Sequence, residues 1–144
     1  MTDFGSRHKL SHQDGGGDKI DCTGLAGRVN YVDRGDPAAS DWSQATLTAN
    51  DNWIDLNCSA VVPAGAKAII FVISLFDNTI DGSISMRKNG NTLNINIVSL
   101  SQPVANKMFF GQLIVPCDAG RVIEYALTTK VWTSVTVTIH GWLI

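Results

Sequence analysis

His8 and His12 are spaced so that a helix would set both imidazoles on one side, where two ligands of a metal ion could meet. Asp14 and the triplet Gly15-Gly16-Gly17 follow at once and work against a helix, and two ligands do not close a site. The other reading is solvated histidines, or a ring of imidazoles packed around a symmetry axis. Asp14, Asp18 and Asp21 lie in the same glycine-rich stretch but lack the D-x-D-x-D-G register and closing Glu of a calcium loop. They read as solubilising charge. No resident metal or cofactor is expected.

The remaining chemistry is thin. Arg34-Gly35-Asp36 spells an adhesion tripeptide, but Asp36-Pro37 more simply opens a turn. Glu124 is the one glutamate, placed by alternation on the outward face of a strand beside Tyr125, and Asp77 and Asp81 flank a turn. There is no Gly-x-Ser-x-Gly elbow, no His-Glu-x-x-His helix and no phosphate-cradling loop, so no catalytic residue is expected and the chain reads as a non-enzyme. Cys22, Cys58 and Cys117 are widely spaced, with no C-x-x-C pair. They read as reduced thiols of a protein made in a cytoplasm.

Four tryptophans, at 42, 53, 132 and 142, carry the strongest binding signal. Trp132 stands in Lys130-Val131-Trp132-Thr133-Ser134, a loop between two strands, where an indole can stack on a sugar ring. A host-surface glycan held by Trp132 and Lys130 is one reading. The other has the indoles capping the ends of the domain or filling a subunit seam.

The elements that must position these residues divide the chain near Trp42. Seven of the 13 glycines fall in residues 1–42, where large apolar residues are few. Such a segment cannot bury enough surface to offset its ordering entropy and is expected to be an extended arm. Residues 43–144 read as one β domain. Expected strands cover 44–49, 53–58, 68–76, 108–115, 122–129 and 134–143, with the nearly continuous apolar run Ala68 to Phe76 marking a central strand covered on both sides, a pattern a short buried helix shares. Asn89-Gly90 between two alternating runs, Ile84/Met86 and Leu93/Ile95/Ile97, predicts a hairpin with a type I′ turn. Seven or eight strands with short turns imply an all-β fold, an antiparallel β-sandwich of jelly-roll type.

The formal charge of −2, with dispersed basic residues, argues against nucleic acid. The longest apolar stretch, 66–76, is too short to insert as a membrane helix, and no secretory signal is readable at the start. The apolar run Trp142-Leu143-Ile144 is expected in a sheet or at a subunit contact, since exposed it would invite association.

The string His8-x-x-x-His12-x-x-Gly15-Gly16-Gly17-Asp18-x-Ile20-Asp21-x-Thr23-Gly24-Leu25-x-Gly27 resembles a linker of bacteriophage tail-fibre and minor virion structural proteins. The later part resembles the β domains that often follow that linker, through Val62-Pro63-Ala64-Gly65-Ala66-Lys67-Ala68, Arg87-Lys88-x-Gly90, Val115-x-Cys117-Asp118, Ile123-Glu124-Tyr125 and Gly141-Trp142. No long shaft precedes the linker here. The resemblance implies a virion component assembled in a bacterial host's cytoplasm, as a decoration, head-fibre or tail-fibre protein. It implies a symmetric homo-oligomer, most often a trimer, joined to other virion proteins through the arm, with a receptor-binding tip as the alternative role.

Overall fold

The computed structural model describes residues 29–144. Among these residues there are nine strands and no α-helix: β1 (Tyr31–Asp33), β2 (Trp42–Ser43), β3 (Ile54–Asn57), β4 (Ala68–Phe76), β5 (Gly82–Lys88), β6 (Val98–Gln102), β7 (Phe109–Pro116), β8 (Val122–Leu127) and β9 (Ser134–Leu143). The first sheet runs β1-β9-β4-β7, with β2 also on β9, and the second runs β3-β8-β5-β6. The pairs nest: β5 with β6, β4 with β7, β3 with β8, β2 with β9. A long antiparallel hairpin rolled on itself has this order, which is the jelly roll.

Alternation packs the interior. Ile69, Phe71, Ile73 and Leu75 of β4 meet Ile84 and Met86 of β5, Ile123, Tyr125 and Leu127 of β8, and Val135, Val137 and Ile139 of β9 in one core cluster. Their alternate neighbours face outward, as period-2 geometry requires. A register shift in the β4–β9 ladder at Ile70/Phe71 leaves His140 exposed at the irregularity.

Three expectations change. Residues 44–49 are not a strand. Thr46 and Leu47 donate their amides to the Ser43 carbonyl, the Ser43 amide donates to Thr46 Oγ1, and the Ala45 amide donates to Ser43 Oγ. These local bonds outcompete a sheet ladder.

The hairpin after β5 forms, but with a nine-residue connection. Val98, Leu100 and Gln102 pair with Met86, Ile84 and Gly82, while Asn94–Asn96 make a 3-10 turn and leave Leu93 and Ile95 exposed. The alternating run changes phase between Ile97 and Val98, and the sheet takes the second phase. The Asn91 amide donates to the Lys88 carbonyl at 3.0 Å, and Gly90 has φ +82 while Asn89 does not have positive φ. That is a type II turn, not type I′.

The sheet also begins earlier than composition suggests. Tyr31, Val32 and Asp33 pair with Leu143, Trp142 and Gly141, so residues 29–42 belong with the domain rather than with a free arm. Arg34 closes this edge, donating to the Asp41 carboxylate and to the Ile139 carbonyl, and Asp41 accepts from the Ile139 amide. The Arg of the adhesion-like tripeptide is thereby committed to the fold.

Candidate functional site

Trp132 and Lys130 are placed where no sugar can stack. Trp132 is 6% exposed and packs over Gly82, where a Cβ would overlap its ring. Its Nε1 donates to the Thr128 carbonyl, and Lys130 Nζ lies 4.8 Å from the ring centroid. Lys130 Nζ also sits 2.7 Å from Asp77 Oδ2 and donates to the Thr79 and Ile80 carbonyls. The Lys130 ammonium and the Thr79 and Thr133 hydroxyls hold the buried Asp77 carboxyl well below the usual carboxylate range. The pair expected to contact a glycan is thus engaged within the fold: the Trp132 indole is packed, and Lys130 is held by Asp77. Gln102 ties in the β6–β7 connection, its Nε2 donating to the Asp77 and Val104 carbonyls.

The thiols are likewise structural. Cys58 and Cys117 are buried and unpaired with each other. Burial pushes Cys58 up to about 12 and raises Cys117 as well, which disfavours the thiolate of both. A shallow cleft of about 300 Å³ beside Cys117 is lined by Lys67, Lys88 and Asp118. Asp118 is already engaged there, accepting from the Val122 amide and from Asn89 Nδ2. Among the described residues, no three His, Cys, Asp or Glu groups converge as a metal set, and no helix is long and apolar enough to cross a membrane. His8, His12 and the Gly-Gly-x-Asp linker lie outside the described residues.

What stands out is a surface. β4 is apolar on both sides, yet only one side is covered by the second sheet. Of its outward residues, Ala68, Ile70 and Ser74 are already closed over by their neighbours, Val72 and Phe76 are half-buried, and Ile114, Gln112 and Phe110 of β7 stand on one flank of this outer field. Ile114 is 52% exposed and Phe110 69%. On the other flank stand Thr136 and Thr138 of β9, Leu143, and Tyr31 of β1 lying over Gly141. The Ser74 and Thr136 hydroxyls satisfy each other at 2.6 Å, while Gln112 and Thr138 stand on either side of Val72. Asp33, at the margin, is the one Asp, Glu, Lys or Arg among the outward residues of these four strands.

The expected assembly residues divide around this field. Leu143 lies on it, by pairing with Ala68 and Tyr31. Trp142 turns inward and packs on the core beside Ile69. Ile144 is at the sandwich end, exchanging backbone hydrogen bonds with Asn30 and resting near Gly65. Tyr31, Val72, Phe110 and Ile114 were not foreseen as surface residues of this kind. The signal was present in β4, whose outward positions apart from Ser74 are also apolar, and in the charge-free run Phe109 to Pro116.

Comparison with known protein families, characterised proteins and solved structures found no match.

Proposed function

We propose that this chain is a non-enzymatic structural subunit of a bacteriophage particle, a decoration or fibre component that assembles with copies of itself through its β domain. The outer face of the first sheet, largely apolar and charged only at Asp33 on its margin, supports this reading most directly. Three strands about 4.8 Å apart and at least eight residues long, at about 3.3 Å per residue, make a field of about 400 Å². That is the size of the apolar centre of a standard interface, which takes about 800 Å² from each partner. A face of this kind left in water forgoes about 25 cal/mol per Å² and risks non-specific association. The particle setting rests on the resemblance of the Gly-Gly-x-Asp linker and of the motifs spread through the β domain. In this reading the N-terminal segment carries the attachment to other virion proteins, and the trimer is the state that resemblance implies.

Two measurements test it. Sedimentation equilibrium of the full chain should give a discrete oligomer at micromolar concentration, and mass spectrometry of purified particles from the phage that encodes the chain should find it as a stoichiometric component. A monomer at all concentrations, or a chain present in infected cells but missing from particles, would overturn the proposal.

A further inference from the structure

The molecule has four edge regions, and three of them are short. β1 has three residues and β2 two on one side of the first sheet, and β3 has four and β6 five on the two sides of the second. The fourth is β7, an eight-residue edge strand with no charged residue, no bulge and no covering segment among the described residues. Natural sheets shield long edges with lysines, prolines, bulges or inward charges, because open amides and carbonyls pair with any available strand. β7 carries only Pro116, at its last position.

The backbone phase of β7 can be read. The Cys117 amide, one step past the strand, donates to the Lys67 carbonyl at the edge of β4. In an antiparallel pair the backbone groups of successive residues point to alternate sides. Val115, Leu113, Gly111 and Phe109 therefore bond to β4, and Ile114, Gln112 and Phe110 present their amides and carbonyls to the open side. Pro116, which lacks an amide, falls on the open side too, where a central strand could not accept it.

We propose that this edge pairs with the β7 edge of a second copy, antiparallel, about a twofold axis at Gln112. The inference rests on the self-assembly reading above and gives it a surface and a symmetry. Only even-summed registers keep outward side chains on one face. Centring on Gln112 sets Gln112 against Gln112 and Phe110 of each copy against Ile114 of the other, so all three open residues exchange backbone bonds. Centring on Leu113 sets Phe110 against Pro116, which has no amide to donate. Centring on Gly111 carries the pairing onto Met108, outside the strand. The Gln112 register also places an aromatic beside a β-branched side chain twice across the seam, a favourable cross-strand pair. The first sheets of two copies become one continuous sheet, and the two apolar outer faces become one field. No charge on either strand opposes its like, because the strand has none. The residues outside the described region are a poorer cover, with Phe4, Leu10, Ile20 and Leu25 scattered among glycines and charges. A twofold seam makes the number of copies even: two, or six if a threefold axis is also present.

The test uses the full chain with Cys22→Ser, which leaves the two buried thiols Cys58 and Cys117. Into it go Gln112→Cys, and Ser101→Cys on the outer face of the second sheet as a control. Each is treated with a short bismaleimide crosslinker and read on a denaturing gel, alongside sedimentation velocity of Ile114→Lys and of Gln112→Pro. Gln112→Cys should crosslink to a dimer in majority yield, Ser101→Cys should not, and both β7 substitutions should lower the sedimenting mass. Circular dichroism matching the unsubstituted chain secures that these variants are folded. An unsubstituted chain that is oligomeric, with Gln112→Cys uncrosslinked and Ile114→Lys unchanged in mass, would overturn the β7 seam and leave self-assembly standing through another surface. An unsubstituted chain that is monomeric would overturn both.

Discussion

On the outer face of the second sheet the strands present Ser83, Ser85 and Arg87 from β5, Glu124 from β8, and Asp55 and Asn57 from β3. On the outer face of the first they present Ile70, Val72, Phe76, Phe110, Ile114 and Leu143. Both sheets bury their inner faces in the same core, so the difference is not a matter of folding. The second face satisfies itself within one chain. Arg87 Nε reaches Glu124 Oε2 at 2.8 Å and its guanidinium lies 4.0 Å from the Trp53 ring centroid, and Ser85 bonds Ser99 across the ladder. On the first face Ser74 and Thr136 bond each other, Gln112 and Thr138 flank Val72, and the large apolar side chains most open to solvent are Phe110 and Ile114. On the assembly reading proposed above, one face is finished by the monomer and the other is not. Charge placement, more than strand geometry, tells the two apart.

The largest effect should come from putting a charge on the unfinished face. Val72→Glu, at the middle of β4, should weaken association through the outer face on the order of 100-fold, about 3 kcal/mol, because an unpaired carboxylate would be buried where a further copy covers the field beside the β7 seam. Ala126→Glu, the equivalent outward position on β8, should leave association unchanged. Analytical ultracentrifugation of both over a concentration series makes the comparison. Equal behaviour of the two variants would erase the distinction between the faces.

Much of this architecture was legible in the chain, and the places where it was not have physical causes. The long strands were readable because their alternation is strict: β9 was expected at 134–143, and Val135, Val137 and Ile139 are fully buried there. β4 was readable as a central strand because eight of its nine residues are apolar and many are β-branched, although its outer side is not covered by the second sheet. Residues 44–49 misled because alternation of Thr and Ala is weak evidence when Ser43 and Thr46 can bond locally. The β6 register misled because two alternating runs of opposite phase meet at Ile97-Val98, and only the tertiary pairing with Ile84 and Met86 selects one. β1 was hidden because three residues carry no period, and its pairing partner lies more than a hundred residues away. The Trp132 loop shows the limit of composition for function. An indole in a loop looks the same in sequence whether it faces a sugar or fills the space above a glycine such as Gly82.

On the finished face, Arg87→Ala should act on folding alone. It removes a hydrogen-bonded ion pair in which Arg87 is 10% and Glu124 15% exposed, together with the stack on Trp53. The expected loss is about 2 kcal/mol of unfolding free energy, read as a lower urea midpoint, with the oligomer's sedimentation unaltered. A shift in assembly without a shift in stability would mean that the second face, too, meets a partner.

The two sheets meet at the end closed by Asp77 and Lys130, and acid should open that end first. The Asp77 carboxyl is depressed in the fold, chiefly by Lys130, so its contribution to stability is complete above the ordinary carboxylate value of about 4. That contribution is lost as pH falls from there through the lower folded value. Urea midpoints measured at pH 7 and pH 3 should differ more for the unsubstituted chain than for Asp77→Asn. Asp118, also depressed by the Val122 amide, supplies part of the acid sensitivity that remains in the variant. An unchanged pH dependence in Asp77→Asn would remove this buried pair from the account.

The smallest effect belongs to the β5–β6 loop, at the margin of the finished face. Gly90 has φ +82, and a Cβ added there would meet nothing within 4 Å, so substitution costs backbone strain without a clash. Gly90→Val should destabilise the domain by about 1 kcal/mol, and Gly90→Asn by less, because Asn accepts positive φ far more readily than a β-branched residue. Chemical denaturation of the pair, ranked against the unsubstituted chain, reads that order. Neither variant should alter self-association, since the loop is carried by the second sheet and lies off the apolar field. If Val and Asn were equally neutral, the positive φ at Gly90 would not be required by the turn. If either weakened assembly, the seam would have to reach the second sheet, and the contrast between one open face and one closed face would fail.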